Sequence, residues 1–296
     1  MHSQIHSLLH AGSVPSLPTR RLALQTALGV GYAMTASPLV AQTAIKTSGE
    51  GLLQGEVSID VQGFQMPAYR SMPAGAKNCP VVLVVSEVFG VHEYIADVTR
   101  RLAHAGYMAI APELFTRQGD PMAYGELAKL FAEIINKVPD AQVMGDLDAC
   151  VRWAASQGGD VSRLGITGFC WGGRITWLYA MHNPRLRAAV AWYGRLTGEK
   201  TAVLPSHPLD QVAALKAPTL GLYAGEDVGI STASVQAMKD ALAAQKNVPA
   251  AQDSALVVYP GVPHAFHADY RPSYRAQEAQ DGWQRMLAWF RRHGLV

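Results

Sequence analysis

The chain has 296 residues, of which 49% are hydrophobic and 16% are charged, and its formal net charge is +2. This composition excludes an intrinsically disordered protein, and the length suits one large α/β domain. The small net charge, and the absence of a basic run interleaved with aromatic residues, give no support to a nucleic-acid partner.

The first 44 residues are predicted to be an export signal that lies outside the folded domain. Arg20 and Arg21 precede an uncharged stretch, 22–40, that is rich in Ala, Leu and Gly and is followed by small residues. This order is typical of a twin-arginine signal with an apolar core and a cleavage site. An uncleaved N-terminal anchor is the alternative, although glycines and a proline interrupt the stretch. We therefore expect export to a bacterial periplasm, with no stable membrane association once the signal is removed.

Residues 45–296 alternate between strand and helix patterns and are predicted to form a single domain. Residues 56–70 alternate in polarity and turn at Gly63, which favours an antiparallel hairpin at a sheet edge. The apolar run 81–86 indicates a strand buried on both faces. Further strands are predicted at 107–111, 164–167, 188–193, 219–224 and 256–259, and helices at 94–104, 124–136, 140–157, from 171 onwards, 235–245 and 274–293. This alternation predicts an α/β fold with a mainly parallel central sheet and helices on both faces.

The stretch Gly168-Phe169-Cys170-Trp171-Gly172 has the glycine-x-nucleophile-x-glycine pattern between a strand and a helix. This pattern holds its central residue on a tight turn, clear of the sheet, and the glycines let neighbouring backbone pass close by. A cysteine at a helix N-terminus feels the positive end of the helix dipole, which favours the thiolate. Cys170 is therefore predicted to be an activated nucleophile.

A free cysteine is more often a buried packing residue than a nucleophile, and that is the alternative for Cys170. The chain has three cysteines, so at least one is unpaired in any monomer. Cys79 precedes a strand and Cys150 lies on the apolar side of a predicted helix, so both are interpreted as structural. Neither has metal-ligand spacing, and we expect no disulfide framework.

Two further candidates follow later strands, where reactive groups gather in a parallel sheet. Asp227 comes just after the strand 219–224, and His264 comes just after the strand 256–259. Nucleophile, acid and histidine thus occur in the chain order of the α/β-hydrolase triad. An imidazole can take the thiol proton, and a carboxylate behind it fixes its tautomer. Glu226 competes for the role of acid, and His267 for the role of base.

These motifs together resemble the dienelactone hydrolase family, the cysteine-nucleophile members of the α/β-hydrolase fold. The resemblance rests on four features and covers the chain from about Gly55 to its end. The features are the sequence GFCWGG at 168–173, SEVFG at 86–90, PELF at 112–115 and the late His264.

The resemblance implies a set of site residues. Cys170, Asp227 and His264 match the family triad, and Glu87 matches a glutamate that interacts with the resting thiol and helps to activate it. The backbone N–H groups of Trp171 and Val88 match the oxyanion hole. Arg117 matches an arginine that holds the substrate carboxylate.

One position departs from the family pattern. The second carboxylate-binding arginine of the family comes four residues after the histidine, where this chain has Ala268. Arg271 is the candidate replacement, with Arg275 as the alternative. The substrate pocket is therefore expected to differ from that of a hydrolase acting on dienelactone.

The sequence thus predicts a monomeric hydrolase that cleaves small carboxylic esters or lactones through a Cys-His-Asp triad and a thioester. A thiolate favours esters with good leaving groups over amides, and the mechanism requires neither a metal nor an organic cofactor. The alternative is a small-molecule-binding or thiol-redox module on a drifted hydrolase scaffold, with Cys170 as an oxidisable thiol.

Overall fold

The computed structural model describes residues 44–296. The predicted export signal, 1–44, lies outside this range except for Ala44, and it stays a prediction. Within 44–296 no helix is both long and apolar enough to cross a membrane.

Strands and helices alternate through most of the described chain. The strands are β1 (Leu52–Val61), β2 (Phe64–Pro73), β3 (Cys79–Val85), β4 (Met108–Pro112), β5 (Gly159–Phe169), β6 (Leu186–Trp192), β7 (Thr219–Ala224) and β8 (Ala255–Tyr259). The helices are α1 (Glu93–His104), α2 (Leu127–Glu133), α3 (Asp140–Ser156), α4 (Trp171–His182), α5 (Thr232–Ala244), α6 (Pro249–Gln252) and α7 (Ala276–Arg292). Short 3-10 helices lie at Pro121–Ala123, Ile135–Lys137 and Pro208–Ala214.

The eight strands form one sheet in the order β1-β2-β4-β3-β5-β6-β7-β8. The pairs β1/β2 and β2/β4 are antiparallel, and every other neighbouring pair is parallel. Every residue of β3 and β4 is buried, so both faces of the sheet are covered there. The predicted α/β-hydrolase architecture is confirmed.

The edge hairpin turns where the sequence predicts. Val61 of β1 pairs with Phe64 of β2, which leaves Gln62 and Gly63 as the two turn residues. Their φ angles are 54° and 91°, the left-handed values that a type I′ turn needs at both positions. Gly63 reaches this conformation without a steric penalty, so the turn is built into the sequence.

The segment 113–139 differs from the single helix predicted at 124–136. It has a short helix, α2, between two 3-10 turns. Glu126 has extended backbone at φ −114° and ψ 124°, and Ile134 leaves the helix at φ −120° and ψ −67°. The apolar pattern was correct, but it did not fix where the backbone departs from helical geometry. The segment follows β4 and lies near the carboxyl ends of the strands.

The parallel strands bring three predicted residues to one edge of the sheet. Cys170 follows β5, Asp227 follows β7 and His264 follows β8. Since these strands run in the same direction, their carboxyl ends form a single rim. The site is built on that rim.

Candidate active site

Cys170 occupies the sharp turn between β5 and α4. Its backbone has φ 56° and ψ −113°, in the left-handed region that residues other than glycine rarely adopt. Its backbone N–H donates to the carbonyl oxygen of Trp192 at 3.0 Å. A Cβ on Gly168 would lie 2.3 Å from the Gly172 oxygen, and one on Gly172 would lie 2.3 Å from the Val85 oxygen. The flanking glycines are therefore required by close backbone contacts.

Strained backbone recurs around this turn. Tyr193 and Ala265 have φ angles of 38° and 60°, so the residue beside His264 is left-handed as well. The Tyr193 ring packs edge-on against the His264 ring, with centroids 5.0 Å apart. Backbone strain of this kind is kept where the surrounding structure enforces it, most often at functional sites.

Asp227 orients the imidazole of His264. Its Oδ2 lies 2.5 Å from His264 Nδ1. Its Oδ1 accepts hydrogen bonds from the N–H groups of Gly229 at 2.8 Å and Ile230 at 3.1 Å. Both oxygens of this buried carboxylate are therefore held in place, whereas the neighbouring Glu226 is exposed. The structure brings Asp227, and not Glu226, to the histidine.

His264 also interacts with Cys170. Burial disfavours the charged imidazolium, but hydrogen bonds to Asp227 and Cys170 and the charges of both groups outweigh it and raise the pKa of His264 to about 10. Thiol, imidazole and carboxylate thus lie in the wall of one cavity.

The alternative histidine, His267, lies in the core. Its Nδ1 is 2.6 Å from the Tyr94 hydroxyl, and its ring stacks on Phe169 with centroids 5.1 Å apart. Burial holds the pKa of His267 well below its ordinary value, so the ring is neutral. His267 is not among the described residues that line the cavity at Cys170.

Glu87 is a fully buried carboxylate in the wall of the same cavity. Its Oε2 accepts a hydrogen bond from the Tyr270 hydroxyl at 2.7 Å, and its Oε1 lies 3.6 Å from Arg271 Nη1. Within the described chain Oε1 accepts no hydrogen bond, which leaves one buried oxygen with unused acceptor capacity. His92 Nε2 is 4.0 Å from Oε2. Burial and then the charge of Arg271 lower the pKa of His92 to about 4, so His92 is neutral. Arg271 is thus the cation that faces Glu87.

The two residues whose backbone amides are expected to form an oxyanion hole both lie in the cavity wall. Val88 follows β3, and Trp171 is the first residue of α4. Both residues line the cavity with Cys170. Neither N–H donates to another group of residues 44–296. Both donors are therefore available to a bound oxyanion.

The cavity has a volume of about 350 Å³, within the range of small-molecule sites. One part of its wall carries Cys170, His264, Asp227, Glu87 and Arg271. Apolar side chains form much of the rest: Val88, Phe89, Leu127, Phe131, Ile135, Trp171, Leu204, Val228 and Ile230. The cavity is therefore a reactive polar patch within a largely apolar enclosure.

The predicted substrate arginines differ in whether they reach the cavity. Arg271 lines the cavity, and its side chain is 32% exposed. Arg117 is not among the described lining residues, and its Nη1 and Nη2 donate to both oxygens of Asp146 at 2.7 and 2.9 Å. Arg117 also stacks on the Phe64 ring at 4.1 Å. Arg275 is exposed and bonds to neighbouring backbone carbonyls. Of these three arginines, Arg271 alone lines the cavity within the described residues.

Among the residues that sequence reasoning missed are two arginines of the cavity wall and one partner of Glu87. Arg195 and Arg174 line the cavity, the first exposed and the second buried against Asp140. Tyr270 donates to Glu87. Arg195 lies three residues past the end of β6, so the rule that selected Asp227 and His264 would have found it. No local pattern marks Tyr270, because its partner lies 183 residues earlier in the chain.

The three cysteines, all within the described range, are free thiols. Cys79 and Cys150 are buried, and Cys170 is half-buried. Burial raises the pKa of the Cys79 and Cys150 thiols, which keeps them protonated and unreactive. Within residues 44–296 no cluster of His, Cys, Asp or Glu could hold a metal ion.

Known proteins of one family resemble this chain. The dienelactone hydrolase family model matches residues 66–294. A "Putative carboxymethylenebutenolidase" of Methylorubrum extorquens is 54% identical over 279 residues, which are 94% of each chain. A protein of the same name from Escherichia coli K12 is 53% identical over 265 residues, 89% of this chain and 96% of its own. The crystal structure of a "Putative Dienelactone Hydrolase" from Klebsiella pneumoniae, 56% identical, has a TM-score of 0.79 and covers 81% of this chain and 99% of the other.

Proposed function

Because the chain belongs to the dienelactone hydrolase family, we propose that it hydrolyses carboxylic esters or lactones through a thioester on Cys170. The observation that carries this proposal is the Asp227–His264 contact, 2.5 Å long, in the wall of a cavity that Cys170 also lines. A protein that only binds ligands would not require a cysteine with strained backbone. It would also not require a nearby histidine that a buried carboxylate orients.

The reaction proceeds in two halves. The Cys170 thiolate attacks the ester carbonyl, and the carbonyl oxygen becomes an oxyanion. When the oxyanion collapses, His264 gives its proton to the leaving alkoxide, and an acyl-thioester remains on Cys170. Neutral His264 then takes a proton from water, hydroxide attacks the thioester, and the acid leaves as the thiolate-imidazolium pair forms again.

The oxyanion is stabilised by the N–H groups of Val88 and Trp171. Neither donates elsewhere within residues 44–296, and both line the cavity beside the sulfur. Trp171 also begins α4, so the positive end of the helix dipole adds to its effect. Donors fixed in advance cost no reorganisation when charge develops on the oxygen.

Glu87 and Arg271 are two further charged residues of the site with a role in this proposal. Arg271 binds an anionic group on the substrate and replaces the arginine that this chain lacks at Ala268. Glu87 lies 3.6 Å from Arg271 and has an oxygen without a hydrogen bond among the described residues. In the resting enzyme this carboxylate holds Arg271 in position. Arg117 has no role in substrate binding in this proposal, because its Nη1 and Nη2 already donate to Asp146.

The substrate class follows from the nucleophile and from the relatives. A thiolate is a better leaving group than an amide nitrogen, so activated esters and enol lactones react and amides do not. The relatives named carboxymethylenebutenolidase point to a lactone that carries a carboxylate. In this proposal Arg271 receives that carboxylate.

Hydrolysis of p-nitrophenyl acetate and of dienelactone by the protein without residues 1–44 tests the proposal. Cys170→Ala is expected to lower kcat/KM at least about a thousandfold, since the covalent route is lost. Cys79→Ala removes a buried thiol from β3 and is the matched control, with activity close to wild type. Activity of Cys170→Ala within tenfold of wild type would refute the assignment.

We also propose that the protein is exported through a twin-arginine signal. The support is the Arg20-Arg21 pair and the apolar stretch 22–40, which lie outside the described residues. Lysine at both arginine positions should keep the protein in the cytoplasmic fraction of a bacterial host. An unchanged periplasmic fraction would contradict this.

A further inference from the structure

Exposed apolar side chains gather at one place on this molecule. Residues 44–296 have six large hydrophobic side chains that are exposed: Ile45, Leu53, Leu127, Phe131, Val228 and Val296. Three of them, Leu127, Phe131 and Val228, line the cavity at Cys170. Their exposed fractions are 54%, 38% and 104%. Apolar surface left open beside a reactive group indicates a binding site rather than a packing surplus.

Helix α2 is patterned to hold two of these side chains toward the cavity. Leu130 is buried and attaches the helix to the core. Leu127 and Phe131 are one turn apart and line the cavity, and Ile135 continues the same row. The charged residues of this segment pair with each other, Lys129 with Glu126 at 3.5 Å and Lys137 with Glu133 at 2.7 Å. The row of α2 and the following turn that lines the cavity is therefore apolar.

The segment that carries α2 is fixed at both ends. At its start, the pair of Arg117 with Asp146 attaches it to α3. At its end, Asp140 accepts two hydrogen bonds from Arg174, at 2.6 and 2.8 Å. Arg174 lies one helical turn after Cys170 on α4. The apolar row is thus held at a set position relative to the sulfur.

Two further apolar residues of the cavity wall come from other loops. Leu204 belongs to the loop after β6, and Val228 follows the catalytic Asp227. The loop of Leu204 is attached to the same anchor, because the N–H of Asp140 donates to the Val203 oxygen at 3.0 Å. Leu204 and Val228, together with the α2 row, make up an apolar part of the cavity wall, which we call the cleft.

We propose that this cleft is a subsite for an apolar substituent of the ester, an alkyl chain or an aryl ring, bound between Phe131 and Val228. The proposal rests on the hydrolase function proposed above and names the substrate class. The preferred substrates have a hydrophobic group several carbons long, beyond what acetate or a compact lactone offers. Each methylene that enters the cleft leaves water and also covers the exposed side of Leu127 or Phe131.

The first test compares two ester series by acid release. In one series the acyl chain of ethyl esters grows from acetate to octanoate, and in the other the alcohol of acetate esters grows from ethyl to octyl. In at least one series, kcat/KM should rise about threefold for each added methylene until the cleft is full. A flat or falling profile in both series would overturn the subsite while leaving the hydrolase function intact.

Substitutions locate the subsite. Leu127→Ala and Phe131→Ala should each lower the octyl-to-ethyl ratio of kcat/KM by about fivefold to tenfold. Leu53→Ala is the matched control, because Leu53 is equally apolar, 49% exposed and located on β1 away from the cavity lining. It should leave the ratio unchanged. The subsite would be refuted if Phe131→Ala left the octyl-to-ethyl ratio unchanged, or if Leu53→Ala lowered it as much as Phe131→Ala does.

A second readout needs no turnover. Cys170 is the only half-buried thiol, the other two being buried, so maleimides should modify it selectively. N-hexylmaleimide should alkylate Cys170 at least about tenfold faster than N-methylmaleimide, after correction against N-acetylcysteine. Phe131→Ala should remove most of this advantage. If no ester or lactone is hydrolysed, the proposed function fails, and an equal rate for both maleimides would show that the subsite fails too.

Discussion

Asp227 Oδ2 lies 2.5 Å from His264 Nδ1, and the other oxygen of Asp227 is held by the N–H groups of Gly229 and Ile230. A carboxylate fixed in this way keeps the Nδ1 proton in place and turns Nε2 toward Cys170. The loop after β7 therefore determines which nitrogen of the histidine can act as the base.

Asp227→Asn is expected to lower kcat/KM for p-nitrophenyl acetate by roughly a hundredfold to ten-thousandfold, because the amide can stabilise the wrong tautomer. Steady-state kinetics measure the loss. Glu226→Gln is the matched control, since Glu226 is adjacent and exposed and should retain wild-type activity. Equal losses in the two variants would mean that Asp227 has no special role.

The raised pKa of His264, about 10, predicts an unusual pH dependence for Cys170. The imidazolium persists from neutral pH to near that value, and a positive charge beside a thiol favours loss of the thiol proton. Alkylation of Cys170 by iodoacetamide should therefore be nearly constant between about pH 7 and 9, whereas an ordinary thiol ionises near roughly 8.5. Mass spectrometry of the Cys170 peptide gives the rates.

His264→Asn supplies the comparison for that profile. Without the imidazolium, alkylation at pH 7 should slow at least about tenfold relative to pH 9. A wild-type rate that climbs steeply through the ordinary thiol range, or a variant with an unchanged profile, would show that His264 does not stabilise the thiolate.

The elbow could be predicted from sequence because its constraints are local. Gly168 and Gly172 flank Cys170 within five positions, and their close backbone contacts require glycine. Chain order and strand position then favoured Asp227 over Glu226 as the acid and His264 over His267 as the base. The structure brings all three together at the predicted edge of the sheet.

The substrate-binding residues could not be predicted in this way. Arg117 has suitable chemistry and follows the motif, but Asp146, 29 residues later, occupies its guanidinium. Nothing near Arg117 in the sequence indicates that pairing. Tyr270 is likewise defined only by its distant partner Glu87. Long-range side-chain contacts decide these roles, whereas hydrophobic periodicity determined the strands and helices.

Arg271→Ala should remove a preference for anionic esters. With p-nitrophenyl hydrogen glutarate and p-nitrophenyl butyrate as the matched pair, the anionic-to-neutral ratio of kcat/KM should fall about tenfold or more, since a charge-assisted contact is lost. Arg271→Lys should restore part of it. The ratio should stay at the wild-type value in Arg117→Ala, and a fall in that variant alone would reassign the role.

Arg117→Ala should act on stability. Removing the guanidinium leaves Asp146, whose pKa burial already raises, without its ion-pair partner. The free energy of unfolding should fall by about 1–3 kcal/mol in urea denaturation. Arg117→Ala with Asp146→Ala should lose less than the two single variants added together, because they share one interaction. Simple additivity would contradict the pairing.

Gly172→Ala tests the close approach at the elbow. Its Cβ would lie 2.3 Å from the Val85 oxygen, so we expect loss of at least about 3 kcal/mol of unfolding free energy or failure to fold. Gly145→Ala is the control, since a Cβ at Gly145 of α3 meets no atom within 4 Å. Alanine there should stabilise by about 0.5–1 kcal/mol. Equal thermal midpoints for the two variants would rule out the steric account.

The most direct test is to trap the acyl-enzyme. The protein is mixed with p-nitrophenyl acetate, quenched in acid within the first turnovers, digested and analysed by mass spectrometry. The account predicts one acetyl group on the peptide that contains Cys170, removed by neutral hydroxylamine and absent from Cys170→Ala. Burst release of p-nitrophenol with the acetyl group on another residue, or steady hydrolysis by Cys170→Ala at the wild-type rate, would contradict it.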